Sequence, residues 1–293
     1  MAIAFNRSFE APYGLVQRLS GRVARLLAPN PGIFTFRGTG VYILGTGAAM
    51  VIDPGPALPA HLSALRRALD GRSISHILVT HTHLDHSPAA RFVKEWSGAK
   101  IHAFGPHPVS QGEDGVAVEE GGDVDFAPDV LVKDGDILEG EGFDIECVYT
   151  PGHTSNHMCY ALREEKALFS GDHVMGWSTS VVAPPDGDMR AYRRSLEKLL
   201  TRDDAVFYPT HGAPVAAPRV LVQSYLEHRQ AREDQILACI ARGEDTIPLM
   251  VAHIYEGLDR RLHPAAARSV LAHLIELVAE EHIMREGERY RLN

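Results

Sequence analysis

THTHLDH, residues 80–86, places four imidazole or carboxylate side chains within seven positions. It begins at the last residue of HILVT (76–80), an apolar run that predicts a buried strand, and it precedes a predicted helix with Ser87 as its N-cap. Because alternate side chains of an extended segment point the same way, His81 and His83 share one side. Several buried polar groups without partners would be unfavourable, so we predict that this stretch binds a metal ion.

Three further motifs supply the same residue types at the ends of predicted strands. TPGHT presents His153, FSGDH presents Asp172 and YPTHG presents His211. A glycine or proline beside each of them allows the backbone to turn tightly towards a common site. Together the motifs offer enough histidine and aspartate side chains for two divalent ions, with positions left open for water. The predicted metal ligands are His81, His83, Asp85, His86, His153, Asp172 and His211.

The segment from Val41 to Gly212 alternates short β-rich runs with turns and two helical stretches, which predicts a layered α/β fold. VYILG and MVID, separated by TGAA, predict a hairpin. Leucines at helical spacing predict a helix over 57–70. The acidic, turn-rich stretch 104–140 predicts surface loops with one connecting strand.

After Pro218 the pattern changes to three helical segments and an alternating segment around a Glu-Gly turn. This order predicts a winged-helix-like unit, so we divide the chain into a catalytic domain, 1–218, and a C-terminal domain, 219–293. The C-terminal domain has 10 arginines, no lysine and 12 acidic residues, which favours packing or homodimer formation over DNA binding. Histidines on predicted helices are expected to have ordinary core or surface roles; they are His61, His228, His253, His273 and His282.

Composition sets the broad class of the protein. Of the 293 residues, 45% are hydrophobic and 23% are charged, as in globular proteins with a packed core. Lys and Arg total 29 against 38 Asp and Glu, a net charge of −9 that argues against partners such as RNA or an anionic membrane. Three scattered cysteines favour a reducing compartment, and the absence of a leader pattern or a spanning apolar run predicts a cytoplasmic protein.

The ordered motifs HTHLDH, PGH, SGD and THG resemble those of the metallo-β-lactamase superfamily over most of residues 20–215. The resemblance implies an αββα sandwich with a metal site at one edge of its two sheets. It implies two divalent metal ions, with Zn²⁺ favoured and Mn²⁺ or Fe²⁺ as alternatives. The first ion would be held by His81, His83 and His153, and the second by Asp85, His86 and His211, with Asp172 bridging them.

Four side chains in or near this predicted metal site are assigned chemical or supporting roles. Two metal ions about 3.5–4 Å apart would lower the pKa of a shared water towards about 7, and Asp85 is the candidate general base for that water. Asp53, in VIDPG, matches an acidic position of the superfamily that supports the ligands, and a turn aspartate before proline is the alternative. His157 and His173 are expected to support the ligand loops, with protonation of the leaving group as the alternative.

Three activities remain open for this site. NPGIFTFRGTGVYILG, TPGHTSNHMCYAL and LFSGDHVMGW are most similar to the lactamase-beta-like, endoribonuclease-type branch, and glyoxalase II-like proteins are close neighbours. We favour hydrolysis of an ester or thioester of a small molecule. A single-strand endoribonuclease is the second hypothesis, which the acidic charge disfavours. A persulfide dioxygenase with a single iron is the third, and metal analysis would distinguish it.

Overall fold

The computed structural model describes residues 3–108 and 121–293, and two β-sheets dominate it. The first sheet contains β1 Val16–Arg18, β2 Val23–Leu27, β3 Gly40–Leu44, β4 Ala49–Ile52, β5 Ile74–Leu78, β6 Lys100–Ala103 and β7 Val130–Leu131, arranged in chain order. Strands β1 to β4 pair antiparallel, and β4 to β7 pair in parallel.

The second sheet contains β8 Ile137–Glu139, β9 Asp144–Tyr149, β10 Met158–Leu162, β11 Ala167–Gly171 and β12 Val206–Pro209. Its spatial order runs from β12 at one edge to β8 at the other. Strands β8 to β11 pair antiparallel, whereas β11 and β12 are parallel.

The strands that form the centre of the molecule are apolar on both faces. In β3, Tyr42 belongs to the core between the two sheets, whereas its neighbour Ile43 belongs to a cluster with helices α1 (Pro59–Leu69) and α2 (Ala90–Ser97). Helix α3 (Met189–Leu200) covers the outer face of the second sheet. The layers are therefore helix, sheet, sheet and helix, which confirms the expected αββα sandwich.

The C-terminal segment forms three helices and a β-hairpin, as predicted. They are α4 Pro218–Ala241, α5 Ile247–Ile254, α6 His263–Ala279, β13 Ile283–Glu286 and β14 Arg289–Leu292. The second half of α4 shares a hydrophobic core with α5, α6 and the hairpin, whereas Val222 and Tyr225 in its first half pack with α3. Helix α4 thus belongs to both units, and the domain boundary after Pro218 remains a prediction. None of the helices in the described ranges is long and apolar enough to cross a bilayer.

Charged side chains are buried where α3 meets α4 and α6. Arg193 Nη1 lies 2.8 Å from Glu233 Oε2 and 3.8 Å from Glu276 Oε1. Burial raises the pKa of the Glu276 carboxyl to about 7, despite the opposing charge of Arg193. His273, expected to be an ordinary residue, is fully buried on the same helix as Glu276.

Two local predictions are wrong. Ser87 does not cap a helix: α2 begins at Ala90, because the chain first turns through the ligand loop, and Ser87 Oγ instead donates to Asp123 Oδ2 at 2.7 Å. The described parts of the stretch 104–140, residues 104–108 and 121–140, contain two short strands, β7 and β8, rather than one. The part of the predicted acidic loop at 109–120 lies outside the described residues.

Candidate metal centre

All seven predicted ligands are buried together at one edge of the sandwich. Each follows the carboxyl end of a strand: His81, His83, Asp85 and His86 come after β5, His153 after β9, Asp172 after β11 and His211 after β12. Because these strand ends meet at the same edge, loops that are distant in the sequence bring their side chains to one place.

The first group of converging atoms belongs to His81, His83 and His153. His81 Nε2 lies 2.9 Å from His83 Nδ1 and 3.3 Å from His153 Nε2. Tetrahedral zinc with bonds of about 2.0–2.1 Å separates its ligand nitrogens by about 3.3 Å, so the spacing fits ligands of one ion. Burial and then the neighbouring imidazoles lower the pKa of His81 well below its usual value, which keeps the ring neutral, as a metal ligand must be.

The second group combines imidazole and carboxylate atoms. Asp85 Oδ2 lies 3.2 Å from Nε2 of both His86 and His211, and Asp172 Oδ2 lies 3.6 Å and 3.4 Å from the same two atoms. A ligand atom of Asp172 is also within 4.8 Å of one from His81, so this aspartate lies between the two groups. Asp172 Oδ1 and His86 Nε2 are buried without a hydrogen-bond partner, and a bound cation would satisfy both.

The electrostatic balance of the second group favours positive charge. Burial opposes protonation of His211, but Asp172 and Asp85 outweigh it and raise the pKa of the imidazole to about 10. The same carboxylates overcome burial to raise the pKa of His86. Groups that attract protons in this way also attract divalent cations, with which those protons compete. Imidazole nitrogens and carboxylate oxygens are a donor set suited to zinc and similar ions.

Asp53 lies directly behind His86. Its carboxylate accepts hydrogen bonds from the backbone N and the Oγ1 of Thr80, both at 2.7 Å, and lies 2.9 Å from His86 Nδ1. Thr210 Oγ1 donates to it at 3.3 Å. Asp53 has φ +46°, an uncommon conformation for a residue with a side chain, which the network stabilises. We propose that Asp53 orients His86, because an Nδ1–H held by Asp53 leaves Nε2 free for a metal ion.

Other ligands are held by partners that the sequence did not single out. His153 Nδ1 lies 2.8 Å from the carbonyl of Val181, and His211 Nδ1 lies 3.1 Å from that of Gly38. Thr39 Oγ1 donates to Asp85 Oδ2 at 2.9 Å. Contacts with backbone carbonyls leave no signal in a sequence, so they could be identified only from the folded structure.

His157 and His173 lie behind the ligands and do not line the cleft described below. Thr150 Oγ1 lies 2.9 Å from His157 Nδ1, and the ring of His173 packs on Tyr192 at 4.7 Å. Burial first, and then nearby positive groups, lowers the pKa of His173 to about 3. The supporting role predicted for both residues therefore remains our proposal. Gly171 leaves room for His157, since a Cβ there would lie 2.5 Å from His157 Nε2.

A cleft of about 530 Å³ opens over the ligands. Its floor includes His83, Asp85, His153, Asp172 and His211, and its walls come from residues 33–36, residues 175–181 and the C-terminal helices. Phe36 and Trp177 stack in these walls with ring centroids 4.8 Å apart and planes at 8°. Pockets for small molecules have volumes of about 300–1,000 Å³, so the cleft suits a ligand of that size.

Comparison with family models gives two matches. Residues 35–211 match the model of the metallo-beta-lactamase superfamily, and residues 246–291 match that of the beta-lactamase associated winged helix domain. The first match contains all seven predicted ligands, and the second covers α5, α6 and most of the C-terminal hairpin.

Curated proteins and solved structures show similarity over most of the chain. An atrochrysone carboxyl ACP thioesterase of Aspergillus fumigatus is 36% identical over 233 residues, which are 77% of this chain and 67% of that protein. The lactamase-like protein adaB of Aspergillus niger is 29% identical, covering 93% and 85%. The crystal structure of a beta-lactamase domain protein from Burkholderia ambifaria superimposes with a TM-score of 0.80 at 19% identity, covering 99% of this chain and 97% of that one. This last likeness concerns the fold alone.

Proposed function

The chain belongs to the metallo-beta-lactamase superfamily and is a hydrolase, and we propose that its substrate is the thioester of a small acyl group. The similarity to a protein named as an acyl carrier protein thioesterase supports this choice of bond. The finer assignments, two zinc ions held by the seven ligands and Asp85 as general base, are part of the same proposal.

One observation carries the proposal: the seven ligands lie beneath a cleft with mainly hydrophobic walls. Phe34, Phe36, Met175, Trp177 and Val181 are among the side chains that line it. Such walls stabilise an apolar or aromatic acyl group by burying its surface. A cleft of about 530 Å³ matches that group better than it matches an extended nucleic-acid strand, and the net charge of −9 also disfavours a phosphate-binding surface.

We assign to Asp85 the role of accepting a proton from the attacking water. It lines the cleft, and the hydrogen bond from Thr39 Oγ1 fixes one of its oxygens at 2.9 Å. Divalent ions bound by these ligands would lower the pKa of water and polarise the substrate carbonyl. Thr39 therefore positions Asp85, and Asp53 positions His86 in the same way.

A thioester also suits the buried positions of His157 and His173. A free thiol has a pKa of about 8.5, so a thiolate can leave without receiving a proton, whereas an alkoxide leaves with difficulty. Because neither histidine lines the cleft, a substrate that needs no acid at its leaving group agrees best with the structure.

The test is hydrolysis of N-acetylcysteamine thioesters by the purified protein, followed through the released thiol. His153→Ala and Asp172→Ala should each lower kcat/KM by more than about 100-fold, since each removes a proposed metal ligand. His282→Ala is the matched control, because His282 is exposed and outside the cleft. Activity that survives in both ligand variants would overturn the proposal.

The same preparations decide between the remaining hypotheses. Cleavage of single-stranded RNA without thioester hydrolysis would replace the proposal with an endoribonuclease. Oxygen consumption with glutathione persulfide, together with one iron per chain, would replace it with a dioxygenase.

A further inference from the structure

The cleft continues beyond the metal ligands to the C-terminal unit. Helix α4 contributes His228, Arg229 and Arg232 to its far wall, and Tyr255, Leu258 and Leu262 contribute from the segment between α5 and α6. His228, expected from the sequence to be ordinary, therefore lines the cleft. This wall combines apolar side chains with positive charge, and none of its residues is one of the seven ligands.

The two arginines in this wall have different surroundings. Arg229 is 2% exposed, and its Nη2 donates to the carbonyl of Ser180 at 2.5 Å, so it ties α4 to the catalytic domain. Arg232 is half-buried, with its guanidinium 4.2 Å from the ring centroid of Tyr255. Its Nη1 donates to Gln235 at 2.8 Å, but its Nε is buried without a hydrogen-bond partner.

Arg232 also has no carboxylate partner within the parts of the chain that the structure describes. A half-buried guanidinium that has no anionic partner and lies near a second arginine would be stabilised by a hydrogen-bonded anion. Burial first, and then the charges of Arg229 and Arg232, lowers the pKa of His228 to about 4, so its imidazole is neutral near pH 7. His228 Nδ1 is also buried without a partner.

We propose that Arg232 and His228 form a subsite for an anionic oxygen group of the substrate, remote from the thioester bond. The planar guanidinium fits a carboxylate or a phosphate, and neutral His228 can donate a further hydrogen bond. The anion has two sources, a carboxylate on the acyl group or the phosphate of a phosphopantetheine carrier. The inference rests on the proposed thioesterase function, and it assigns to the C-terminal unit a part in substrate selection.

The test compares matched thioesters with the wild-type protein and Arg232→Met. In the first arm, N-acetylcysteamine half-thioesters of dicarboxylic acids of increasing length are compared with their neutral methyl esters. In the second arm, one neutral acyl group is carried by pantetheine or by phosphopantetheine. Because hydrogen bonds to charged groups contribute about 1.5–3 kcal/mol, we expect Arg232→Met to raise KM about 10- to 100-fold for the anionic members of one arm. The neutral members and kcat should change little.

Arg219→Met is the matched control, since Arg219 is an exposed residue of the same helix and lies outside the cleft. Arg232→Lys should recover part of the loss by restoring the charge. A rise in KM of equal size for anionic and neutral substrates, or none for either arm, would overturn the subsite while leaving the thioesterase proposal intact.

A binding measurement separates the two proposals if the wild type hydrolyses no thioester. Titration calorimetry with phosphopantetheine and with the dicarboxylic half-esters compares the wild type with Arg232→Met, in which the metal ligands are identical. Weaker binding of one of these anions to Arg232→Met would support the subsite even then. If the wild type and Arg232→Met bound each of the two anions with the same affinity, the subsite would be overturned.

Discussion

Replacing Asp53 by alanine should weaken metal binding although no proposed ligand is removed. Asp53 accepts hydrogen bonds from Thr80 and Thr210 and holds Nδ1 of His86, and all four residues are buried. Alanine would leave the backbone N of Thr80 without an acceptor and allow the His86 ring to turn. It would also retain the strained φ of +46°, which alanine tolerates less well than aspartate.

The magnitude follows from these contacts. Hydrogen bonds to a charged group contribute about 1.5–3 kcal/mol each, and two of the bonds to Asp53 are as short as 2.7 Å. We therefore expect the free energy of unfolding to fall by about 3 kcal/mol or more. Loss of a partner behind a metal-binding histidine weakens metal affinity by about 10- to 100-fold, and the same range is expected here.

The assay is competition for Zn²⁺ with a chromophoric chelator, combined with urea unfolding of the same preparations. Asp53→Asn is the matched control, because it keeps the size, one acceptor oxygen and the tolerance of a left-handed backbone. Its Kd for Zn²⁺ should lie between those of the wild type and Asp53→Ala. If Asp53→Ala bound Zn²⁺ as tightly as the wild type, Asp53 would not orient His86 for metal binding.

Three further predictions concern packing, pH and the cleft. Gly152→Ala should lower the free energy of unfolding, measured in urea, by about 3 kcal/mol or more, because φ is +135° and a Cβ would lie 2.3 Å from backbone atoms of Tyr192. Gly71→Ala is the control: its φ is +70°, but a Cβ there would meet open space, so its loss of stability should be smaller. Equal losses in the two variants would show that the close contact with Tyr192 is not the cause. The stability of the wild type relative to Glu276→Gln should fall by up to about 3 kcal/mol as pH rises from about 4.5 to about 7, because the folded state holds the Glu276 proton more tightly than the unfolded state does. Urea unfolding at intervals across that range checks this, and a constant difference would contradict it. Trp177→Ala should raise KM for aromatic thioesters about tenfold by removing the stack on Phe36, and an unchanged KM in steady-state assays would contradict this role of the wall.

The clustering of the seven proposed metal ligands could be predicted from the sequence because each lies in a short motif at the end of an apolar strand. His81 and His83 owe their common side to the two-residue period of an extended chain, which is local information. That His153, Asp172 and His211 meet them depends on the order of strands in two sheets, and the resemblance to a family supplied that order.

The remaining parts of the site depend on contacts that have no local pattern. Serine is a common N-cap residue, but the helix after Ser87 begins only at Ala90, because the loop that holds the proposed ligands continues past Ser87. The Ser87 hydroxyl donates a hydrogen bond to Asp123 instead. Arg232 and His228 reach the cleft because α4 packs across α3, and helical periodicity alone does not show which neighbour a helix will meet. The amino-acid composition therefore gives no information about which of these side chains reach the cleft.

Zinc titration of chelator-stripped protein, followed through thioester hydrolysis, tests whether hydrolysis depends on two metal ions bound by the seven proposed ligands. Stripping should abolish hydrolysis, activity should return to a plateau at two equivalents of Zn²⁺ per chain, and Asp172→Ala should not recover. Hydrolysis that persists undiminished after stripping, or that returns equally in Asp172→Ala, would contradict this dependence.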